Sequence, residues 1–333
     1  MAEKKNEKNS EKKGIVMVEA LNQALMQEMK RDSSVLVLGE DVGKDGGVFR
    51  VTDKLIEKFG EERVIDTPLA ESAIVGASIG LAIAGWKPVA EIQFSGFIPS
   101  AFDQMINHLS RMRWRSRGRY SCAVVIRSPN GGGVKALEHH SESLESVYAH
   151  IPGLKVVIPS TPYNAKGLLI SAIRDLDPVL FLEPIRVYRA IREIVPEEPY
   201  AIPLGKARII KEGSHVTIIG WGAMIKTLIN VQNSIDIDLE IIDLQTISPL
   251  DIETIINSVK KTRRCVIVHE AVRTCGFGAE LAAQIYENAI LHLKAPVIRV
   301  TGYDTTMPLG KLEKYYIPDE NRIIEGIKEV LKF

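Results

Sequence analysis

The sequence predicts an α/β protein built from two parallel-sheet domains. Short apolar runs, typical of buried strands, alternate with longer segments of helical apolar spacing along most of the chain. Residues 187–204 interrupt this alternation, because they are punctuated by prolines and carry no apolar period. At 333 residues the chain is long enough for two domains. We therefore expect domains at residues 14–186 and 205–333, joined by a linker at 187–204.

In the first domain, apolar residues at helical spacing predict helices, and short apolar runs next to Gly, Pro or Ser predict strands. The predicted helices are 15–30, 51–59, 69–84, 100–112 and 163–174. The predicted strands are 35–38, 64–65, one that begins at 88, 123–127, 156–159 and 179–183. Parallel strands end at a common edge, and folds of this class bind ligands there.

In the second domain the same alternation begins again after the linker. The predicted strands are 216–219, 239–243, 265–269 and 297–300, and the predicted helices are 223–230, 249–259 and 279–288. Each predicted strand except the last is followed by a helix, so this part also predicts a parallel sheet covered by helices.

Charge and composition exclude several classes of protein. The chain has 42 basic and 42 acidic residues and no net charge, which does not favour binding to nucleic acid or to an anionic membrane. No apolar run is long enough to span a membrane. The three cysteines have no metal-binding spacing, as expected for a reduced, cytoplasmic protein. Residues 1–13 are rich in Lys and Glu, and we expect them to form a disordered tail.

The helix predicted at 69–84 carries one carboxylate, Glu71, ahead of two turns of small and apolar residues. With Thr67 as the N-cap and Pro68 in the first helical position, a capping box requires its acid at Ala70, so Glu71 comes one residue late. Such a helix is expected to be buried nearly all round, where an unpaired carboxylate is costly. Glu71 is either a functional carboxylate or a charge that stabilises the helix dipole.

Further candidate residues follow predicted strands. Glu40 follows strand 35–38 after Gly39, although its position alone slightly favours a solvated turn. Gly131–Gly133 follow strand 123–127 and permit close approach of the backbone to a ligand or a mobile lid. His139 and His140 are adjacent, so at most one of them faces a site. A run of arginines around Trp114 indicates a solvated or subunit-contacting face more than a nucleic-acid site.

A rival motif lies in the second domain. Gly220 and Gly222 follow a predicted strand and open a helix, and Asp243 comes about twenty residues later, as in a dinucleotide site. However, Ile225 occupies the position of the third glycine, where a large side chain crowds the helix against the strand. The motif therefore supports a nicotinamide-binding site only weakly.

Taken together in their order, several short motifs resemble the beta subunit of thiamine-diphosphate-dependent 2-oxo acid dehydrogenases, the E1 component. They are GEDVG (39–43), DTPLAE (66–71), EIQF (91–94), RSPNG (127–131), HHSES (139–143), PGLKVVIP (152–159), HEA (269–271) and YIPD (316–319). The resemblance covers nearly all of the chain after residue 13. It implies a pyrimidine-type thiamine diphosphate domain followed by a transketolase C-terminal-like domain.

The resemblance also implies roles for four residues. Glu71 matches the acid that hydrogen-bonds the N1′ atom of the cofactor's aminopyrimidine, and Phe97 matches the aromatic residue that packs on that ring. Glu40 matches an acid near the cofactor that takes part in proton communication between paired active sites. His140, rather than His139, matches the histidine that faces the substrate and lipoyl channel.

Metal ions and partners are likewise implied by the resemblance. Many members bind a potassium ion largely through backbone carbonyls, and the matching positions are Val124, Ala172, Ile173, Asp175 and Asp177. The Gly-Asp-Gly and Asn pattern that holds magnesium and diphosphate is missing from this chain. We therefore expect an alpha subunit to hold the magnesium in an α2β2 heterotetramer, and an E2 acyltransferase with a lipoyl domain to accept the acyl group.

The expected reaction is oxidative decarboxylation of a 2-oxo acid and reductive acylation of the lipoyl group. The motifs EIQF (91–94), GYDT (302–305) and YIPD (316–319) lean toward branched-chain 2-oxo acids, with pyruvate next. Acetoin dehydrogenase is an alternative within the class. A nicotinamide oxidoreductase and a non-catalytic assembly subunit are alternatives outside it.

Overall fold

The structure is a computed structural model and describes residues 14–333. The expected tail at residues 1–13 lies outside the described residues. Two sheets organise the described part of the chain. Their strands are β1 Val35–Gly39, β2 Val64–Asp66, β3 Lys87–Glu91, β4 Val125–Asn130, β5 Lys155–Val157, β6 Val179–Pro184, β7 Arg208–Lys211, β8 Val216–Gly220, β9 Leu239–Asp243, β10 Thr246–Ser248, β11 Cys265–Val268 and β12 Ile298–Val300.

The helices cover both faces of these sheets. They are α1 Met17–Arg31, α2 Leu55–Phe59, α3 Glu71–Ile83, α4 Met112–Arg115, α5 Glu145–Ala149, α6 Pro162–Arg174, α7 Met224–Ser234, α8 Ile252–Thr262, α9 Phe277–Ala289, α10 Glu313–Tyr316 and α11 Glu320–Leu331. Short 3₁₀ helices span Ser95–Ala101, Glu138–His140, Ile185–Val187, Ile290–His292 and Gly310–Leu312, and a π-helix spans Gln104–Leu109. Within residues 14–333, no helix is long and apolar enough to cross a membrane.

The first sheet has the strand order β10-β5-β6-β4-β3-β1-β2, and the second has the order β12-β11-β8-β9-β7. All pairs are parallel except β10 with β5 and β7 with β9. The predicted fold class, two α/β parallel-sheet domains, is therefore confirmed. The division at residues 187–204 stays a prediction. One edge strand crosses it, since Thr246–Ser248 comes from the second part of the chain and pairs with the first sheet.

Two predicted helices and one predicted burial pattern differ from the structure. The helix expected at 100–112 is a 3₁₀ helix, a π-helix and the short α4 instead. The helix expected at 51–59 begins only at Leu55, because residues 50 and 54 have positive φ. The expected burial of α3 on all sides is wrong for this chain alone: Ala73, Ala77 and Gly80 on one side are exposed.

A buried ion cluster joins three neighbouring strands of the first sheet. The guanidinium of Arg127 on β4 donates to both carboxylate oxygens of Glu183 on β6, at 2.8 and 2.7 Å, and also to Glu91 on β3. Tyr188 donates its hydroxyl to Glu183 at 2.5 Å. Burial raises the pKa of Glu91, and the pKa of Arg127 is raised because its two carboxylates outweigh its desolvation. The cluster is stable only with its cation in place.

Buried polar contacts also join the two sheets. Trp221, after β8, donates its indole N–H to Glu145 on α5 at 3.1 Å. Ser160, after β5, donates its hydroxyl to Asp243 at the end of β9 at 2.5 Å. Burial raises the pKa of Glu145 and of Asp243 to about 7 in each case. Both acids are therefore held in an environment that favours their neutral form.

Replacing Arg127 with Met is expected to lower the free energy of unfolding by about 3–5 kcal/mol, because two buried carboxylates then face each other without a cation. Arg113→Met is the matched control, since its ion pair with Asp177 is partly exposed; we expect a loss within about 1 kcal/mol. Urea unfolding of the two variants measures the difference. Equal losses in both would contradict the role of the cluster.

Replacing Glu145 with Gln is expected to flatten the pH dependence of stability. The folded-state pKa of this acid lies above its ordinary value, so the folded chain binds the proton more tightly and stability falls as pH rises from about 4.5 to about 7. The Gln side chain keeps an acceptor for Trp221 and removes this loss, which is about 3 kcal/mol at most. Urea unfolding between these pH values tests this, with the exposed Glu287→Gln as control; parallel curves for wild type and Glu145→Gln would overturn it.

Candidate functional site

The carboxyl ends of β1, β2 and β3 place the candidate residues. Gly39, the last residue of β1, pairs with Asp66 of β2 and with Glu91 of β3. Thr67 donates its backbone N–H to the Gly39 carbonyl at 2.9 Å, so the chain stays extended past the end of β2. The structure therefore brings Glu40 and the start of α3 to the same edge of the sheet.

The helix α3 begins later than expected. Its N-cap is Ala70, not Thr67, and Glu71 is its first helical residue. Thr67 does not act as the cap, since its side-chain hydroxyl is buried without a hydrogen-bond partner and its backbone amide continues the strand pairing. Glu71 is half-buried and has no hydrogen-bond partner among the described residues. A carboxylate in this position can accept a hydrogen bond from an N–H group of a ligand.

Glu40 lies close enough to Glu71 for their charges to interact. Partial burial raises the pKa of Glu40, and the negative charges of Asp41 and Glu71 raise it further. A cluster of carboxylates in a partly buried edge favours either a proton or a ligand with hydrogen-bond donors. The structure thus places Glu40 and Glu71, two of the predicted site residues, close enough for their charges to interact.

Phe97 and His140 form an aromatic wall, here called the Phe97 wall, next to the start of α3. Phe97 lies in the 3₁₀ helix Ser95–Ala101, which Ser72 of α3 binds by donating its hydroxyl to the Ser100 carbonyl. The ring of His140 lies edge-on to Phe97, with centroids 5.3 Å apart, and 4.1 Å from the ring of Phe94. His140 Nδ1 is buried without a hydrogen-bond partner, whereas His139 is exposed. Sequence reasoning selected His140 by resemblance alone.

One residue of this wall was missed. A Cβ atom on Gly96 would lie 2.1 Å from the carbonyl oxygen of His139, so only glycine lets the histidine segment approach the 3₁₀ helix this closely. No local pattern distinguishes Gly96 from a turn glycine, because the segment it contacts is more than forty residues away in the chain.

Four of the five expected potassium positions already make hydrogen bonds or ion pairs within the chain. The carbonyl of Val124 accepts the amide of Val179 at 2.9 Å, and that of Ala172 accepts the amide of Asp175 at 3.3 Å. The carboxylate of Asp175 pairs with Lys155 and that of Asp177 with Arg113. Both side chains are thus neutralised by cations of this chain. Ile173 is buried in the last turn of α6. The potassium site stays a prediction that depends on backbone carbonyls.

The nicotinamide alternative does not fit the geometry. A Cβ atom on Gly222 would lie 3.0 Å from Ile158 and 3.1 Å from Pro184, so the loop after β8 packs against the first sheet where a pyrophosphate would have to sit. Asp243 is fully buried and bound by Ser160, and cannot reach a ribose. The glycines of this motif serve contact between the two sheets.

The residues at the edge fit the pyrimidine half of thiamine diphosphate. Glu71 offers an unpaired, half-buried acceptor, and the partly buried ring of Phe97 offers an apolar surface on the neighbouring segment. Among the described residues, no group of His, Cys, Asp and Glu side chains could hold a metal ion.

Comparison with known proteins gives consistent results. Residues 13–190 match the transketolase pyrimidine-binding domain family and residues 205–323 match the transketolase C-terminal domain family. The chain is 52% identical over 321 residues to a pyruvate dehydrogenase E1 component subunit beta of Acholeplasma laidlawii, covering 96% of this chain and 98% of that one. The subunit of the same name from Bacillus subtilis (strain 168) is 50% identical over 322 residues, covering 96% and 99%.

A solved structure shows the same fold. A split gene transketolase, described as an inactive beta4 tetramer, superposes with a TM-score of 0.78 at 22% identity, over 96% of this chain and 99% of that chain. At this identity the match supports the architecture alone. The motif resemblance is confirmed by the sequence comparisons: the chain belongs to the family of pyruvate dehydrogenase E1 component beta subunits, thiamine-diphosphate-dependent 2-oxo acid dehydrogenase components with a transketolase pyrimidine-binding domain and a transketolase C-terminal domain.

Proposed function

We propose that this chain is the beta subunit of an α2β2 E1 component that decarboxylates a 2-oxo acid and acylates the lipoyl group of an E2 acyltransferase. The observation that carries the proposal is the unpaired Glu71 carboxylate at the start of α3, beside Glu40 and near the wall formed by Phe97 and His140. The names of the relatives favour pyruvate as the substrate. The branched-chain preference that the sequence motifs suggested is untested, and it is the alternative that the substrate assay below distinguishes from pyruvate.

Thiamine diphosphate, when bound, supplies the nucleophilic carbon and the electron sink that decarboxylation of a 2-oxo acid requires. Glu71 would accept a hydrogen bond from the pyrimidine ring nitrogen and hold the proton there. Phe97 would pack on the ring and exclude water. Glu40 adds negative charge near Glu71, and its own pKa is raised by partial burial and by the charges of Asp41 and Glu71.

His140 would serve as the acid or base for acyl transfer. Its ring is fixed between Phe94 and Phe97, its Nδ1 is buried with no hydrogen-bond partner among the described residues, and the side chain as a whole is partly exposed. A histidine held in a fixed orientation can donate or accept a proton in acyl transfer.

Support for an alpha subunit comes from the exposed side of α3 and its flanks. Leu69, Ile83 and Trp86 are 69%, 39% and 38% exposed, and Gly80 has nothing within 4 Å of the place of a Cβ atom. Leu69 lies just before the start of α3, and Ile83 and Trp86 lie at its far end, so this exposed apolar surface extends along the length of the helix. We propose that the alpha subunit covers this surface and holds the magnesium and diphosphate.

We also propose a cytoplasmic location and a potassium ion at the five positions given above. The free thiols of Cys122, Cys265 and Cys275 fit a reducing compartment. Acetoin dehydrogenase remains the nearest alternative, since it would use the same beta-subunit residues. A non-catalytic assembly subunit would not need an unpaired carboxylate at Glu71.

Replacing Glu71 with Ala is expected to lower the decarboxylation rate of the reconstituted complex by roughly 10²–10⁴-fold, as for loss of a general acid/base group. The rate is measured with an artificial electron acceptor, so that E2 is not required. Glu62→Ala, an exposed acid just before β2, is the matched control and should leave the rate unchanged. Full activity of the Glu71 variant would favour a non-catalytic assembly role instead.

Activity is expected only after co-expression with the alpha subunit. A thiamine-dependent assay over pyruvate, 2-oxoisovalerate, 2-oxoglutarate and acetoin then decides the substrate, because each class of E1 component accepts a different one. We expect the highest kcat/KM with pyruvate, and the purified single chain should show none. Decarboxylation by the single chain would refute the shared site, and turnover of acetoin alone would select the alternative.

A further inference from the structure

The glycine loop after β4 binds the C-terminal domain. Glu270, two residues after β11, accepts the amide of Gly132 at 3.1 Å. Glu313 is the first residue of α10. One of its carboxylate oxygens accepts a hydrogen bond from the backbone amide of Gly133, and the other accepts one from the amide of Lys135 at 2.9 Å. Both carboxylates are buried. The close approach that the glycines permit is therefore to two acids of the same chain, not to a ligand or a lid.

The shape of the loop fits this contact. Gly131 and Gly133 have φ of 82° and 98°, values that other residues rarely adopt. A Cβ atom on Gly131 would lie 2.8 Å from the Glu270 carboxylate, and one on Gly132 would lie 2.8 Å from Met307 and 3.0 Å from the Glu313 carboxylate. The glycines thus let the loop backbone pack directly against the C-terminal domain, and the amides of Gly132 and Gly133 hydrogen-bond it.

The same loop leads to the histidine of the site. Gly131 donates its amide to the Glu142 carbonyl at 3.1 Å, which closes residues 131–142 into one loop. Ser95, next to the Phe97 wall, donates its hydroxyl to the same carbonyl at 3.1 Å. His140 lies near the end of this closed loop, and its Nδ1 makes no hydrogen bond of its own. The position of His140 therefore depends on what holds the two sides of the loop.

We propose that Glu313, assisted by Glu270, is a positioning residue through which the C-terminal domain fixes the loop 131–142 and so places His140 for acyl transfer. A carboxylate that accepts two backbone N–H groups makes charge-assisted bonds, which are stronger than neutral ones. Glu270 is held in turn by Arg186, which donates to its other oxygen. The effect of the loop on acyl transfer rests on the proposed function. The fixing of the loop by Glu313 and Glu270 does not.

Amide hydrogen exchange in the reconstituted heterotetramer tests whether Glu313 fixes the loop 131–142. Glu313→Gln keeps one acceptor oxygen but turns an NH₂ group toward the second amide, so we expect the amides of residues 132–140 to exchange about tenfold faster than in the wild type. Glu325→Gln, an exposed acid on α11, is the matched control and should match the wild type. Unchanged exchange in the loop would overturn the proposal. If Glu313→Gln does not fold, Glu270→Gln is measured instead, with the same expectation.

Kinetics test the link to His140. In Glu313→Gln, acyl transfer to the lipoyl domain should fall at least tenfold more than decarboxylation measured with an artificial acceptor. If Glu313 acts through His140, the double variant with His140→Asn should be no slower in acyl transfer than His140→Asn alone. Independent, multiplicative losses would overturn this link, as would faster exchange without any loss of acyl transfer. A wild-type complex without decarboxylase activity would instead refute the proposed function. The exchange measurement would still show whether Glu313 fixes the loop 131–142.

Discussion

The buried cluster of Glu91, Arg127 and Glu183 sets the geometry on which the candidate site depends. It carries two negative charges and one positive charge away from water, and the pKa of Glu91 is raised by that burial. Because an ion cluster in this setting is stable only with its hydrogen bonds complete, β3, β4 and β6 must keep their register. Tyr188 completes the cluster, and a Cβ atom on Gly47 would lie 3.1 Å from Glu91, so the loop after β1 packs on it as well. The loops that carry the site residues leave a sheet edge fixed in this way.

Much of this arrangement could be predicted from local pattern. Buried strands can be recognised in the sequence as apolar runs. Because parallel strands end at the same edge of the sheet, the residues that follow them are expected to lie close together. Glu40 and Glu71 illustrate this, since the structure brings them into one electrostatic environment. The start of α3 was predicted wrongly because the Thr67 amide bonds the Gly39 carbonyl and extends the strand pairing, which leaves residues 67–70 outside the helix. The Thr-Pro pattern is a helix-start signal, but it does not reveal this long-range contact.

Contacts between segments that are distant in the chain could not be predicted from the local sequence pattern. The glycines at 131–133 indicate a close approach, but the acids that they approach are 138 and 180 residues away. The strand Thr246–Ser248 is too short to be seen as a strand, and only its pairing with β5 defines it. Likewise, the segment from Ser95 to Arg115 has helical composition but breaks into 3₁₀, π and α turns. Tertiary packing decides such segments, and propensity is only a weak guide there.

Coenzyme binding and subunit assembly should be linked at Glu71. The carboxylate is tolerated without a partner because it is only half-buried and the neighbouring residues Ser72 and Ala73 are exposed, so water reaches this side of α3. A subunit that covered this side would remove water from Glu71 beside the charge of Glu40, which is costly unless a donor replaces the water. The pyrimidine ring is such a donor in the proposed function. A ligand that binds one assembly state more tightly stabilises that state, so the coenzyme should strengthen the contact between the subunits and the contact should strengthen coenzyme binding.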